Sequence, residues 1–296
     1  MIYKYNLYYY NIRSNYKIHT LNEGFIESSF AKEIELCCKI DSINGIEPTI
    51  TYSDSDFYVQ FPNIIQFKHT KSNNTIVCAT KNRQYLNEYI TNAPFALLVA
   101  HDSGVLLHGA TIIVNNKAYV FLAPCGGGKS TLLLSLLKEQ NVWYYSDDAV
   151  ALVLENDNMV LYKGSTKCKL KSDILQTYGI STRSLKRTSE LRDKYYIEYK
   201  ERVYPEEKCK LEKVFYLNRD VAGEQLRVAR MDGLQAMPIL LKGAVGYQNI
   251  CQNDDVRQKI VRNIREFCPY MNVYRMVIPS NLSVFNKHFI DTVINC

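Results

Sequence analysis

The chain lacks any long run of apolar residues. Nowhere in its 296 residues is there a stretch of about 18 uncharged apolar residues, the length that a membrane-spanning helix needs. The longest candidate, residues 94–114, is interrupted by His101, Asp102 and His108. The first residues, M-I-Y-K-Y-N-L-Y-Y-Y, have neither the apolar core nor the cleavage site of a signal peptide. We therefore expect a cytoplasmic protein that is not exported by a signal peptide and does not contact a membrane.

The cysteines also lack any pairing pattern. The nine cysteines are scattered, odd in number, and include no C-x-x-C pair. A zinc site of closely spaced cysteines and a disulfide framework are therefore not expected, and a reducing cytoplasm fits this usage.

No nucleic-acid-binding motif accompanies the net charge of +6, so we do not expect a nucleic-acid partner. The most basic part is residues 183–200, which contains six lysine and arginine residues. Such a segment is typical either of a solvated face or of a surface that receives an acidic or phosphorylated partner.

The first 99 residues show short strand patterns and a helical segment at their end. With 47% hydrophobic and 22% charged residues, the chain is long enough for one large domain, or for a core domain and a small partner. Strands are predicted within residues 1–20 and at 49–52, 57–61, 64–68 and 75–79, the first of them as an exposed edge strand rich in tyrosine. A helical pattern at 85–99 contains Pro94, which predicts a kink or a break between two short helices. We therefore predict a mostly β region at 1–99.

Residues 100–296 are predicted to form the second domain. Strand patterns at 105–107, 111–114 and 117–122, with Asn115 and Asn116 as a turn, predict a hairpin. A buried helix at 129–137, a strand at 142–145 and a second hairpin at 149–162 follow. Residues 164–210 are charged, and we predict an irregular, mobile or partner-facing segment. The remaining predicted elements are strands at 214–217, 226–229 and 273–278, an amphipathic helix at 253–268 that is capped by Asn253, Asp254 and Asp255, and a short C-terminal helix.

A glycine-rich stretch, A-P-C-G-G-G-K-S-T at residues 123–131, follows the apolar run A-Y-V-F-L. Glycines let backbone N–H groups turn inward onto phosphate oxygens. Lys129 supplies positive charge for the β and γ phosphates, and Ser130 opens a helix where its hydroxyl can ligate Mg²⁺. The alternative interpretation is an ordinary glycine turn before a buried helix. The predicted nucleotide-binding residues are Ala123, Pro124, Cys125, Gly126, Gly127, Gly128, Lys129, Ser130 and Thr131.

Two adjacent acids, Asp147 and Asp148, follow the strand predicted at 142–145, and Asp147 lies 17 residues after Ser130. A carboxylate at a strand end near a phosphate-binding loop typically orders Mg²⁺, directly or through water. Two acids can divide the work, one at the metal and one as the base for an attacking hydroxyl. Adjacent acids are also common in turns and helix caps, but this spacing favours the catalytic interpretation.

His108 lies in the sequence L-L-H-G-A, upstream of the hairpin that leads into the glycine loop. A histidine in a strand is often a hydrogen-bonded core residue. Its position two strands before the loop equally predicts a place near the γ-phosphate, where it would orient the base or the acceptor.

These three features, in this order and spacing, resemble the catalytic domain of HPr kinase/phosphorylase. That family has a His-Gly strand, a hairpin, a phosphate-binding loop ending in G-K-S, and an Asp-Asp pair. The hairpin and the adjacent acids set the pattern apart from the Ras-like and RecA-like classes. The stretches Y-K-Y-N-L-Y-Y-Y-N-I, F-Y-V-Q-F-P-N-I-I-Q-F-K-H and Y-L-N-E-Y-I-T-N-A-P-F-A-L-L are similar to the HPr-kinase-like proteins of peptide-modification (RiPP) clusters, including lasso-peptide kinases.

The resemblance implies an α/β fold of the phosphoenolpyruvate-carboxykinase type with a mixed sheet, preceded by a small, mostly β part. It implies that residues 126–131 bind ATP phosphates and Mg²⁺, with Lys129 acting in transfer. It implies that Asp147 and Asp148 share metal binding and the role of base, and that His108 lies near the transferred phosphoryl group. Either acid could be the base; of the two orders we favour Asp148 as the base, with Ser130 and Asp147 as the metal ligands. It also implies a homo-oligomer, since relatives form hexamers.

The chain departs from the family at Ala123, at Cys125 and in its H-G-A motif, and after residue 165 no segment resembles the one linked to phosphorolysis. The function we expect is an ATP-dependent serine kinase that acts on a peptide or protein, with RiPP precursors among the candidate acceptors. Two alternatives stay open. One is a nucleotide-binding ATPase or partner component of a peptide-modification system, and the other is a kinase for a small-molecule hydroxyl.

Overall fold

A computed structural model describes residues 1–41, 43, 48–53, 56–124, 126–190, 192–220, 226–247, 254–279 and 290–293. Within these ranges the strands form three sheets of eight, nine and three strands. The nine-stranded sheet contains both parallel and antiparallel neighbours, so the expected mixed α/β class is confirmed. In the same ranges no helix is both long enough and apolar enough to cross a lipid bilayer.

The N-terminal sheet has the strand order β3-β1-β2-β4-β8-β7-β6-β5. Its strands are β1 (Tyr3–Leu7), β2 (Tyr10–Ser14), β3 (Asn22–Glu23), β4 (Lys32–Ile40), β5 (Thr49–Ser53), β6 (Asp56–Phe61), β7 (Ile65–Thr70) and β8 (Thr75–Thr80). The predicted exposed edge strand at residues 1–20 is wrong. Residues 3–14 form a hairpin inside the sheet, and Tyr8, Tyr9 and Tyr10 are at most 5% exposed. Burying these large apolar rings stabilises the fold by more than the hydration of their hydroxyl groups would stabilise an exposed strand.

Two short helices, α1 (Arg83–Tyr89) and α2 (Ala93–His101), follow this sheet. Pro94 lies in the first turn of α2, where its missing N–H costs no helical hydrogen bond. The predicted break at Pro94 is therefore confirmed. Residues 93–100 are all buried, in a core that also contains side chains of β1, β2 and the nine-stranded sheet. The division into domains at residue 99 stays a prediction.

Within the described ranges, the rest of the chain forms the two other sheets, four further α-helices and a helical segment at 290–293. In chain order these elements are β9 (Val105–Leu107), β10 (Ala110–Val114), β11 (Lys117–Leu122), α3 (Lys129–Leu136), β12 (Trp143–Ser146), β13 (Val150–Glu155), β14 (Asn158–Tyr162), β15 (Lys167–Lys171), α4 (Ser172–Thr177), β16 (Arg187–Ser189), β17 (Arg192–Glu198), β18 (Lys208–Asp220), β19 (Arg227–Arg230), α5 (Gly233–Gly243), α6 (Asp254–Phe267) and β20 (Val273–Pro279).

The nine-stranded sheet has the order β12-β10-β11-β18-β14-β13-β9, with β20 beside β18 and β19 beside β20. β10 and β11 form the predicted hairpin, whose turn residues Asn115 and Asn116 have φ values of 51° and 58°. Asparagine tolerates this left-handed conformation, which tight hairpin turns require. On its other side β11 pairs in parallel with β18.

Helices pack against both faces of this sheet. Alternate residues of its strands point to opposite sides, so each face carries its own apolar side chains. Leu132, Leu133 and Leu136 of α3 pack in one core with Ile112 and Phe121. The opposite face, which includes Val120 and Leu122, packs against α5 and α6. The predicted amphipathic helix is thus confirmed as α6, while its predicted cap at Asn253 lies outside the described residues. The same holds for most of the predicted C-terminal helix, of which residues 290–293 are described as helical.

Residues 164–210 are not irregular, so this part of the prediction is wrong, whereas a partner-facing role for the segment stays a prediction. Strands β15, β17 and β16 form an antiparallel three-stranded sheet, and α4 follows β15. In β15 the sequence K-C-K-L-K alternates, so Cys168 and Leu170 enter the core beside α3 while the lysines occupy the other face. The high charge of the segment concealed this alternation.

Candidate functional site

The ends of several strands meet at one edge of the nine-stranded sheet. β10 runs antiparallel to both β11 and β12, so the start of β10 lies beside the ends of the other two. A cleft of about 920 Å³ opens there. Its lining includes Ala123, Pro124, Gly126, Gly127, Gly128, Lys129, Ser130, Thr131, His108, Asp147 and Asp148. The cleft therefore brings together all the predicted site residues that the structure describes. Cys125 lies outside the described residues.

The glycine loop needs its glycines for conformation and for space. Gly126 and Gly128 have φ values of 77° and 89°, in the left-handed region that favours glycine. A Cβ on Gly127 would lie 2.7 Å from the Ala123 Cβ and 3.0 Å from the Pro124 carbonyl oxygen. Ala123 itself does not have a positive φ, so an alanine fits at this position without strain.

Lys129 and the start of α3 provide positive potential at the loop. The Lys129 ammonium donates a hydrogen bond to the Ala123 carbonyl at 2.9 Å, so the side chain lies along the loop. The first backbone N–H groups of a helix attract anions, and the positive end of the helix dipole adds to this effect. The loop is therefore suited to bind phosphate groups.

Asp147 lies beneath the loop, next to Ser130. The Ser130 hydroxyl is 3.2 Å from Asp147 Oδ1, and the Cys168 thiol donates to Asp147 Oδ2 at 3.1 Å. Burial raises the pKa of Asp147 to about 6; the Cys168 thiol opposes this rise and Asp148 adds to it. A buried carboxylate beside a hydroxyl offers two of the hard oxygen ligands that Mg²⁺ prefers.

Asp148 points to a different set of partners. The Lys169 ammonium lies 2.6 Å from Asp148 Oδ2, and His108 Nδ1 lies 3.6 Å from Asp148 Oδ1. Burial by itself would raise the pKa of Asp148, but Lys169 and His108 together lower it well below the usual range. Asp148 is therefore ionised at neutral pH.

His108 follows β9 and reaches the cleft with its side chain 49% exposed. Its backbone N–H donates to the carbonyl oxygen of Gly243 at 2.8 Å, which ties this segment to the end of α5. Limited solvation in the cleft lowers the pKa of the imidazole; Asp148 partly offsets this effect and Lys129 reinforces it. The ring is therefore mainly neutral at pH 7.

The backbone around the two acids is fixed by close packing. The Ser146 hydroxyl donates to the Ala149 carbonyl at 2.8 Å. A Cβ on Gly164 would lie 2.0 Å from that same carbonyl oxygen, so only glycine allows β14 to lead into β15 so close to the Asp147–Asp148 turn. The turn cannot shift without disturbing this contact.

Lys169 and Cys168 were not predicted as site residues from the sequence. These neighbours lie on opposite faces of β15, and each contacts one of the two adjacent acids. Lys171, Lys194, Arg219 and Lys242 also line the cleft. The alternation in K-C-K-L-K was the available sequence signal, but it does not reveal which surface the lysines face.

The chain was also compared with known proteins. No protein-family model and no curated protein matches the chain. Among solved structures, the Hpr(Ser) kinase/phosphatase from Coxiella burnetii matches with 12% sequence identity and a TM-score of 0.34. The match covers 64% of this chain and 93% of that chain.

Proposed function

We propose that the chain is an ATP-dependent phosphotransferase of the HPr-kinase-like type, which transfers the γ-phosphoryl group of ATP to a hydroxyl of a peptide or protein. One observation supports this most directly. The glycine loop and both acids share one cleft, with Asp147 beside Ser130 and Asp148 facing His108 and Lys169. A turn that served only to begin a buried helix would not need two acids with such different partners.

The described residues fit a bound nucleotide and its metal. The close approach at Gly127 leaves no room for a side chain, as expected where backbone N–H groups cradle phosphates. Lys129 would hold the β and γ phosphates, and Ser130 and Asp147 would hold Mg²⁺. The metal, when bound, supplies positive charge that offsets the charge of the phosphate oxygens. The raised pKa of Asp147 does not oppose this, because a bound cation favours the ionised carboxylate.

Asp148 is proposed as the base that orients the acceptor hydroxyl and receives its proton. The carboxylate accepts a hydrogen bond from the acceptor hydroxyl and thereby orients the hydroxyl oxygen toward the γ-phosphorus. The new oxygen–phosphorus bond forms as the bond to the β-phosphate oxygen breaks, ADP leaves, and the hydroxyl proton passes to Asp148. Phosphoryl transfer needs positioning more than a strong base, so a carboxylate with a low pKa is adequate. His108 would stand near the transferred group.

The acceptor class is proposed from the resemblance of the sequence and from charge. A serine of a peptide or protein in the cytoplasm, including a RiPP precursor, is the preferred acceptor. Residues 165–205 contribute Lys169, Lys171 and Lys194 to the cleft, and we propose this segment as the acceptor platform. A mostly β part at 1–99, a catalytic domain at 100–296 and a homo-oligomeric assembly remain parts of the proposal.

The proposal is tested with the Asp148→Asn variant. It should bind a non-hydrolysable ATP analogue within about twofold of the unchanged chain, while phosphoryl transfer falls by about 10²-fold or more. Binding is measured by calorimetry, and transfer is measured by mass spectrometry as the addition of one phosphate to candidate peptides. Asp157→Asn, in the turn between β13 and β14, is the matched control and should retain full activity.

The outcomes separate the alternatives. Retained transfer in Asp148→Asn would remove Asp148 from the role of base. ATP hydrolysis without any phosphorylated peptide would favour an ATPase component. Transfer to small hydroxyl compounds alone would favour a small-molecule kinase.

A further inference from the structure

One face of the small sheet presents a row of lysines. Alternation along β15 places Lys167, Lys169 and Lys171 on the face opposite to the buried Cys168 and Leu170. Lys169 and Lys171 line the main cleft, whereas Lys167 lines a separate cavity of about 440 Å³. The row therefore runs along the sheet from the second cavity to the proposed transfer site.

The three lysines differ in how their charges are balanced. Lys167 forms an ion pair with Glu198 at 3.2 Å, and Lys169 forms one with Asp148 at 2.6 Å. Lys171 lies directly opposite Lys194 of β17 in the antiparallel register, so two positive charges face each other across the strands.

This cross-strand lysine pair costs stability by itself, since like charges directly opposite in a sheet repel each other. Within the part of the chain that the structure describes, neither ammonium forms an ion pair with a carboxylate. The acid nearest to Lys171 along the chain, Asp173, uses its Oδ1 to accept the backbone N–H of Ile174 at 2.7 Å. Asp193, which adjoins Lys194, accepts a hydrogen bond from the Ser172 hydroxyl. Both lysines line the cleft, so an anion bound there would neutralise them.

Lys194 lies close to the proposed transfer site. It lines the same cleft as Asp147 and Asp148, and its charge lowers the pKa values of both carboxyl groups. The nucleotide phosphates already have their own cradle in the glycine loop, Lys129 and the start of α3, on a different element of the cleft wall. The lysine pair is therefore available to a second anionic group.

We propose that Lys171 and Lys194 form an anion-binding site for the acceptor, and that the chain phosphorylates acceptors with a phosphate or carboxylate group near the hydroxyl. The inference rests on the proposed function and names its substrate class. An anionic acceptor relieves the repulsion between the two lysines when it binds. A neutral or basic acceptor leaves this repulsion in place, so the site discriminates by charge.

The test uses inorganic phosphate as the probe and the full chain saturated with Mg²⁺ and a non-hydrolysable ATP analogue. Calorimetry should show that phosphate binds to this complex. Lys171→Met and Lys194→Met should each weaken phosphate binding by about tenfold or more, the loss expected for one charge-assisted hydrogen bond. Lys117→Met is the matched control: Lys117 forms an ion pair with Glu212 at 3.0 Å and does not line the cleft, so this variant should bind phosphate unchanged.

A charge-reversal variant guards against unfolding as an explanation. Lys171→Glu replaces a repulsive cross-strand pair by an attractive one, so its thermal midpoint should equal or exceed that of the unchanged chain while phosphate binding is lost. Phosphate binding that persists in Lys171→Glu would overturn the inference. Phosphate that binds only without the ATP analogue would also overturn it, because the probe would then occupy the nucleotide site. Failure of the analogue itself to bind would instead contradict the proposed function, on which this inference rests.

Discussion

At the scale of single residues, the site is defined by two neighbouring acids in different environments. Asp147 is buried beside Ser130 and Cys168, whereas Asp148 faces the ammonium of Lys169. Their pKa values are displaced in opposite directions, that of Asp147 upward and that of Asp148 downward. Such a divergence is typical of acids with separate roles. The proposed roles, with the metal at Asp147 and the acceptor hydroxyl at Asp148, agree with this divergence.

Lys169 is expected to position Asp148. Its side chain is 10% exposed, so Lys169→Met leaves the Asp148 carboxylate in the cleft without its closest cation. We expect kcat to fall by about 10²-fold, while the KM for ATP changes little because the glycine loop is untouched. Steady-state kinetics on the identified acceptor measure both quantities.

Two companion variants separate positioning from folding. Lys169→Arg keeps the charge and should recover part of kcat, and Lys117→Met, outside the cleft and the proposed acceptor platform, should keep full activity. An unchanged kcat in Lys169→Met, or a loss of activity that merely follows a lower thermal midpoint in all three variants, would contradict the positioning role.

At the scale of elements, the glycine loop joins β11 to α3 with very little free space. A Cβ on Gly127 would lie 2.7 Å from the Ala123 Cβ and 3.0 Å from the Pro124 carbonyl oxygen, which belongs to the backbone and cannot rotate away. Gly233, at the start of α5, has no atom within 4 Å of such a Cβ and lies far from these constraints. The two glycines form a matched pair for testing the loop.

Gly127→Ala should weaken binding of the ATP analogue by about tenfold or more, since the loop must shift and its N–H groups lose their alignment. Gly233→Ala should bind the analogue normally and be equally or slightly more stable, because alanine favours the helix. Calorimetric titration of both variants measures the effect. Equal affinities for the two variants would show that the loop does not cradle phosphates.

At the scale of the whole molecule, the N-terminal sheet and the nine-stranded sheet share one hydrophobic core. Phe95 of α2 is fully buried and contacts Tyr8 and Tyr10, with ring centroids 6.0 Å and 5.4 Å apart. The Tyr10 hydroxyl also donates to Asp102 at 2.5 Å, across 92 positions of sequence. We expect the two sheets to unfold together.

Phe95→Ala should lower the free energy of unfolding by about 3–5 kcal/mol, the usual cost of removing a buried aromatic ring. The single tryptophan, Trp143, lies on β12 in the nine-stranded sheet and reports on that part alone. In urea, its fluorescence and the far-UV circular dichroism should shift to the same lower midpoint. Val77→Ala, at an exposed position of β8, serves as the control with a change within about 0.5 kcal/mol. A fluorescence midpoint that stays fixed in Phe95→Ala would indicate two independent domains.

The sequence by itself determined the features that act over a few neighbouring residues. The glycine loop was predictable because glycine conformations, Lys129 and Ser130 act on the backbone next to them. The hairpin before the loop was predictable because Asn115 and Asn116 suit a tight turn, and the break at Pro94 because proline lacks an N–H. The nearness of Asp147 to Ser130 followed from a single helix and a single strand between them.

The tertiary structure alone decided which distant residues complete the site. Lys169 and Cys168 lie 21 positions after the acids they contact, on a strand whose charge hid its alternation. Tyr8 and Tyr10 of the first hairpin pack against Phe95 of α2, and Tyr9 packs against Tyr162 of β14, contacts that no local pattern encodes. Local conformational preferences are written in adjacent residues, whereas ion pairs and burial depend on which surfaces meet after the sheets have assembled.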